Sequence, residues 1–258
     1  MQVKISAVII VKDELENMER CLEATWKVAD EVVVIDSGST DGTQQLCQVL
    51  GARVIEHPFQ NYAHQKNVAV ENATYDYILS VDADEVLSEE LIASILIVKS
   101  NWMADAYLMN RLNNYCGQWI KHGNWYPDQK RRLFDRRKAK WEGKIHEKVV
   151  LQEGATLGKL QGDLLHYSYD SIADQVARMN TYTTLMAESA FEKGKKATLF
   201  KIIFSPKFNF FKRYFLQLGI LDGYYGFVLA VLGAYYNFLK YVKLRALWKN
   251  SETNDKKL

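Results

Sequence analysis

Cysteine is scarce: Cys21, Cys47 and Cys116 are the only three in 258 residues, and no two of them form a Cys-x-x-Cys pair. A disulfide framework and a zinc finger are thereby excluded, and a reducing compartment is the simplest setting. Long apolar runs are missing too. The first, Ile5–Val11, stops at Lys12-Asp13-Glu14. That is too short and too soon charged for a signal peptide or a spanning helix, so a chain that stays on the cytoplasmic side is expected. The longest uncharged stretch, Gly223 to Leu239, holds seventeen residues, against about 20 needed to cross a bilayer. No repeat and no low-complexity linker interrupts the chain, and His57, His64 and His122 show no metal-ligand spacing.

What is present is ordinary globular material, with 48% hydrophobic and 25% charged residues. The net charge of +2 hides an asymmetry. Residues 193–248 carry ten Lys/Arg and one acid, Asp222, a net of +9, so the remainder sums to −7. A basic segment on an acidic body points to a polyanionic partner, either nucleic acid or anionic lipid.

Over the first hundred residues, strand-like and helix-like patterns alternate. Ile5–Val11, Glu31–Asp36, Ala52–Ile55 and Tyr77–Val81 read as strands. Between them lie Leu15, Met18, Leu22 and Ala29 at helical spacing, the turn cluster Ser37–Thr43 with Thr40 or Asp41 as a helix N-cap, and a helix over Gln65–Ala73. Ser88 caps a further helix that has Glu89 and Glu90 in its first turn. Such alternation implies βαβ units, a mostly parallel sheet, and a ligand beyond the carboxyl ends of the strands. After Asp105, strand-like stretches at Tyr107–Leu112, Leu133–Asp135 and Val149–Leu151 alternate with basic, aromatic loops, and an amphipathic helix follows from Ile172 to Ala190.

The strand ends carry the chemistry. Asp36 ends one strand, Asp82 and Asp84 follow another, and Asp13 and Glu14 follow the first. An Asp at such a place is commonly a turn former. Several acids on one sheet edge, however, repel one another unless a cation compensates them. An oxygen-liganded Mg²⁺ or Mn²⁺ fits, and it would grip a diphosphate leaving group.

Val8–Glu14, Val32–Gly42, Gln65-Lys66-Asn67 and Leu79–Glu85, in that order and spacing, resemble family 2 glycosyltransferases of the GT-A fold. The resemblance implies the GT-A α/β fold, with residues 1–100 as its nucleotide-sugar half and 101–170 as its acceptor half; the basic, aromatic composition of 171–258 suggests helical, membrane-associating sequence. It also implies that Val11 with Asp13 or Glu14 lines the nucleotide pocket, and that Asp36 accepts from the uracil ring. Lys66 would lie near the base or diphosphate, Asp82 would hold ribose or metal, and Asp84 would hold the metal. Lys12-Asp13-Glu14 departs from the more usual Lys-Asn-Glu at Asp13.

Trp141–Glu147 is similar to the W-x-G-x-x-H-E element of the subgroup acting on lipopolysaccharide core. There Glu147 would be the general base of an inverting transfer and His146 would orient it or bind substrate. A salt bridge from Glu147 to a nearby lysine is the plainer role, and Asp128 is the reserve base. The same family comparison suggests His166 as a further metal ligand, although a His beside tyrosines is commonly structural. It also suggests Arg131 and Arg132 as diphosphate or acceptor contacts. Nine Lys/Arg against four acids between Tyr126 and Lys148 suit an acceptor rich in phosphate or carboxylate, since guanidinium binds such groups bidentately.

The whole chain resembles the lipopolysaccharide core β-1,4-glucosyltransferases. That implies a UDP-sugar donor, a heptose of the lipopolysaccharide inner core as acceptor, and a peripheral place on the cytoplasmic face of the inner membrane. A polyprenyl phosphate or other envelope glycan is the alternative acceptor, and a non-catalytic nucleotide-sugar-binding protein the alternative of another class. In the C-terminal segment, aromatics interleaved with lysine suit an anionic membrane surface better than nucleic acid, because runs such as Ile202-Ile203-Phe204 are more apolar than base stacking requires. A helical hairpin packed on the rest of the chain would use the same residues.

Overall fold

The computed structural model describes residues 2–143 and 147–255. They form two compact units: residues 2–112 with 128–143 and 147–167, and 113–127 with 168–255.

In the first unit, strands and helices alternate as β1 (Ile5–Val11), α1 (Leu15–Trp26), β2 (Glu31–Asp36), α2 (Thr43–Val49), β3 (Arg53–Glu56), α3 (Tyr62–Glu71), β4 (Tyr77–Asp82), β5 (Glu85–Leu87) and α4 (Glu89–Ser100). The chain continues with β6 (Ala106–Tyr115), β7 (Gln118–Ile120), β8 (Asp128–Asp135), β9 (Ala139–Glu142), β10 (Lys148–Leu151) and β11 (Leu157–Tyr169); β7 and the ends of β6 and β11, from Asn113 and from Ser168, belong to the second unit. The main sheet runs β3-β2-β1-β4-β8-β6-β11-β5, with β7 on β6 and a separate β9–β10 hairpin. β3, β2, β1 and β4 are mutually parallel, while β8 is antiparallel to β4 and to β6.

The apolar runs explain this sheet. A parallel strand covered on both faces reads as a near-continuous apolar run. In β1, Ile5, Ala7, Ile9 and Val11 join the core with Met18 and Leu22 of α1. Val8 faces the other way, into a second core with Ala63 and Ala69 of α3 and Phe134 of β8. Apolar area buried in these two cores contributes roughly 25 cal/mol per Å².

The order of strands reverses at β1, which leaves a crevice at its carboxyl end. The register puts the acids there: Val11 pairs with Asp36, and Ile10 with Asp82. Ser88 does cap α4, its hydroxyl accepting from the Leu91 amide. The start of α2 differs from expectation. Its N-cap is Gly42 with φ 99, a left-handed backbone that neither Thr40 nor Asp41 adopts readily. Asp41 serves from one residue outside, accepting from the Thr43 amide and hydroxyl.

In the second unit, α5 (Ile172–Glu192) is followed by α6 (Leu199–Phe211), a π-helical turn (Lys212–Leu216), a 3-10 turn (Gly219–Asp222) and α7 (Gly223–Asp255). No single helix among the described residues is long and apolar enough to cross a membrane. The segments Leu199–Leu216 and Gly219–Ser251 pass that test only together, bent by 73°.

Candidate active site

The cluster is built around Asp82, the last residue of β4. Its Oδ1 lies 2.9 Å from the ammonium of Lys66, and its Oδ2 pairs with Arg132 Nη2. Lys66 Nζ also reaches Glu147 Oε1 at 3.1 Å. One buried lysine therefore joins the strand-end acid of the first hundred residues to the acid expected as general base. Burial alone would raise the Asp82 carboxyl, but Arg132 and Lys66 hold it far below the ordinary carboxylate range.

Local structure explains each placement. Lys66 lies on the same face of α3 as Ala63 and Val70, which pack against the sheet, so its stem is buried and its head extends to the sheet edge. Its neighbours keep the helix there. Gln65 bonds Ser37 Oγ, the His57 carbonyl and the His57 ring. Asn67 exchanges two hydrogen bonds with the backbone of Trp141.

Arg132 owes its direction to an irregularity. β6 and β8 pair Tyr107 with Leu133 and then Leu108 with Arg131, which leaves Arg132 as the extra residue of a β-bulge. A bulge re-aims its side chain. The Lys66 ammonium and the Arg132 guanidinium lie 4.5 and 5.4 Å from the Trp141 ring centre, so one indole faces both cations.

Residues not singled out from the sequence complete the cluster. Glu85 is fully buried; its Oε2 accepts from the Asp82 amide, and its Oε1 accepts from Arg132 and Arg111. Arg111 continues to Asp128, which also pairs with Lys130. Asp128, the reserve base, is thus clamped by two cations that hold its pKa down against its burial. Four cations face four carboxylates, an arrangement that compensates the cost of removing them from water. Two buried donors, Arg132 Nε and Trp141 Nε1, have no partner among the described residues.

The other expected residues divide clearly. Asp84 and His166 are brought together, with Oδ2 to Nε2 at 3.1 Å, because β11 runs antiparallel to β5 and pairs His166 with Glu85. Asp36 is on the same edge but fully buried, and its carboxylate accepts from Gly38, Ser39 and Gln44. Burial would raise its pKa, yet these bonds lower it. It organises the turn that follows β2, and its oxygens are already engaged.

Asp13 ties the same turn from outside: its amide donates to Ser39 and its carboxylate accepts from Thr40. The Glu14 carboxylate accepts from Asn17, and its amide donates to the Thr43 hydroxyl oxygen. Val11 is buried beside Asp36. Arg131 points away from the acids, its guanidinium donating to the Val149 carbonyl. His146 lies outside the described residues.

Among the described residues no three His, Cys, Asp or Glu side chains form a metal-binding group. Asp82 is committed to Lys66 and Arg132. Asp84 and His166 remain as a carboxylate–imidazole pair. That donor set fits Mn²⁺ or Mg²⁺ held by few protein ligands, the remaining positions going to phosphate and water.

The glycosyl transferase family 2 model matches residues 6–150. The chain belongs to glycosyl transferase family 2. It is 34% identical over 259 residues to an uncharacterized glycosyltransferase of Rickettsia bellii, covering 95% of this chain and 87% of that one. It is 32% identical over 250 residues to the lipopolysaccharide core biosynthesis glycosyltransferase LpsC of Rhizobium meliloti, covering 93% and 91%. Among solved structures, S. aureus TarS 1-349 in complex with UDP aligns with a TM-score of 0.49 at 15% identity, over 96% of this chain and 92% of that one. The mixed sheet, parallel from β3 to β4 and with acids at its strand ends, is the α/β arrangement expected of the GT-A fold.

Proposed function

We propose that this family member is an inverting glycosyltransferase that moves a hexosyl group, glucose in the first instance, from a UDP-sugar to a heptose of the lipopolysaccharide inner core. The observation that carries the reading is Lys66, whose ammonium touches both Asp82 and Glu147. A donor-side acid and a candidate base held by one buried cation belong to one site. The likeness to LpsC over nearly the whole chain supports the acceptor class.

In this reading residues 1–100 bind the nucleotide sugar at the carboxyl edge of β1, β2 and β4, and residues 101–170 present the acceptor. Asp84 and His166 would hold a divalent cation, which when bound would supply positive charge to the diphosphate leaving group. The orphan donors Arg132 Nε and Trp141 Nε1 suit an anionic or oxygen-rich ligand. Glu147 takes the proton of the acceptor hydroxyl as its oxygen bonds to the anomeric carbon. The bond to the diphosphate oxygen breaks on the opposite face, and the configuration inverts. Lys66 fixes where Glu147 stands, and Arg132, held by Glu85, fixes Asp82.

Residues 171–258 would meet an anionic membrane on its cytoplasmic face. Phe200, Ile203, Phe204, Phe208, Phe211 and Phe215 form one exposed stripe along α6 and the turn after it. That composition suits interfacial burial.

The test is UDP release from UDP-glucose with a truncated heptose-containing core acceptor. Release that needs both the acceptor and Mn²⁺ or Mg²⁺, and that EDTA stops, is expected. Binding of UDP-glucose with no release for any core acceptor would favour a non-catalytic binding protein, and release only with a polyprenyl phosphate would reassign the acceptor.

A further inference from the structure

The second unit holds a cation that the reaction does not use. Arg213 is half-buried, and burial pushes the pKa of its guanidinium down. No carboxylate or hydrogen-bond acceptor partners it among the described residues. The acid closest in its surroundings, Asp222, is fully engaged, accepting from the amides of Lys121 and His122 and from the His122 ring. Arg213, His122 and Asp222 line one small cavity, with room for about one water.

The surroundings hold Arg213 in place. A Cβ on Gly233 would come within 3.1 Å of its Cδ and Nη1, so α7 presses its bare backbone onto the guanidinium stem. A Cβ on Gly219 would come within 2.8 Å of the Arg213 carbonyl, and one on Gly226 within 1.8 Å of the Gly219 carbonyl. Only glycines allow this corner to close. The π-helical turn that carries Arg213 is a rare conformation, frequent at functional sites.

Around this cation the apolar side chains point outward. Leu216, Leu221 and Tyr224 are 63%, 64% and 68% exposed. Leu218 has φ 58, a left-handed backbone that costs a leucine about 1–2 kcal/mol, and it is still half exposed. The strain is therefore matched by only partial burial of the side chain. A desolvated guanidinium ringed by exposed apolar groups fits a ligand with an anionic oxygen head and an apolar tail. The cavity admits a phosphate oxygen and excludes a sugar.

We propose that the corner between α6 and α7 is a lipid-phosphate site, in which Arg213 binds the headgroup phosphate of an anionic phospholipid and Leu216, Leu218 and Leu221 enter the acyl layer. This rests on the reading that the second unit meets a membrane. Two other basic residues of the segment are used internally. Lys243 is spent on Asn180, Thr183 and Thr184, and Arg245 on the Ala197 carbonyl.

The test is sedimentation of the full chain with vesicles of phosphatidylcholine alone and of phosphatidylcholine with a third of phosphatidylglycerol. Arg213→Gln is set against Lys201→Gln, which removes the same charge from an exposed site on α6. Wild type should bind only the anionic vesicles. Lys201→Gln should weaken partition about fivefold, the effect of one diffuse surface charge. Arg213→Gln should weaken it at least tenfold, with Arg213→Lys close to it because the planar fork is lost. Unchanged thermal melting and unchanged UDP affinity in each variant exclude misfolding.

Equal losses for Arg213→Gln and Lys201→Gln would overturn the site while leaving membrane binding in place. Displacement of wild type by inorganic phosphate at matched ionic strength would overturn the lipid assignment. Failure of wild type to bind anionic vesicles would overturn both readings.

Discussion

The two units handle charge in opposite ways. In the first, Lys66, Arg132, Arg111 and Lys130 are matched by Asp82, Glu85, Asp128 and Glu147, and the apolar side chains of the sheet are buried. In the second, Arg213 has no anionic partner among the described residues, and the leucines and phenylalanines around it face outward. A charge cluster closed on itself stores specificity for a small polar ligand. An open one with exposed apolar neighbours is completed only by something large and anionic.

The largest break in this comparison is expected at Glu147. Glu147→Gln should lower turnover by about 10²–10⁴-fold, the range for loss of a general base, with UDP affinity nearly unchanged in isothermal titration. A fully active variant would return Glu147 to a plain salt-bridge role.

Next is Glu85, which holds two arginines from a fully buried position. Glu85→Ala should cost on the order of 3–5 kcal/mol in denaturant unfolding, because it strands buried charge. A loss below about 1 kcal/mol would mean that solvent reaches the cluster.

Paired leucine substitutions sharpen the contrast between units. Leu133→Ala, in the buried sheet, should cost about 2–5 kcal/mol. Leu221→Ser, at the exposed corner, should stay within about 0.5 kcal/mol of wild type in the same assay while weakening vesicle binding.

The smallest effect is on the acid limb. Burial would raise Glu31, but bonds from Ser6, Arg53 and Thr74 outweigh it and hold the pKa at about 2. A depressed carboxylate contributes stability that is present above its unfolded value and lost as pH falls through the folded one. For Glu31 that window runs from about 4.5 down to about 2. Unfolding free energy should therefore fall through this range, with Asp82 adding to the same limb, and Glu31→Gln should flatten the slope.

Much of the parallel half was legible because its signals are local. EVVVID is apolar from Val32 to Ile35, just before its terminal acid, so both the strand and the direction of Asp36 followed from the pattern. The sheet edge that collects Asp36, Asp82 and Asp84 followed from strand alternation. What the pattern did not contain was partnership. Asp36 reads as an open acceptor, yet it is closed by its own turn. Asp82 reads as a metal ligand, yet two cations take its oxygens.

Glu85 ends the Leu79–Glu85 motif but has no periodic signature that marks it as the holder of two arginines. Its partners come from strands 26 and 47 residues away, and only a β-bulge turns Arg132 toward it. The antiparallel half was harder for the same reason. The thirteen residues of β11 mix exposed and buried positions without strict alternation, so only the His166 end of it read as a strand. In the C-terminal segment, composition indicated a surface for anions, but not that Lys243 is used up internally while Arg213 is not.

The central claim is that Lys66 places the donor-side acid and the general base in one site. A double-mutant cycle on single-turnover transfer at saturating UDP-glucose tests it most directly, using Lys66→Gln, Glu147→Gln and the pair. If the two residues act together, the double variant is no slower than Glu147→Gln alone. If instead the two losses multiply, the residues act independently, and the shared site built on Lys66 is wrong.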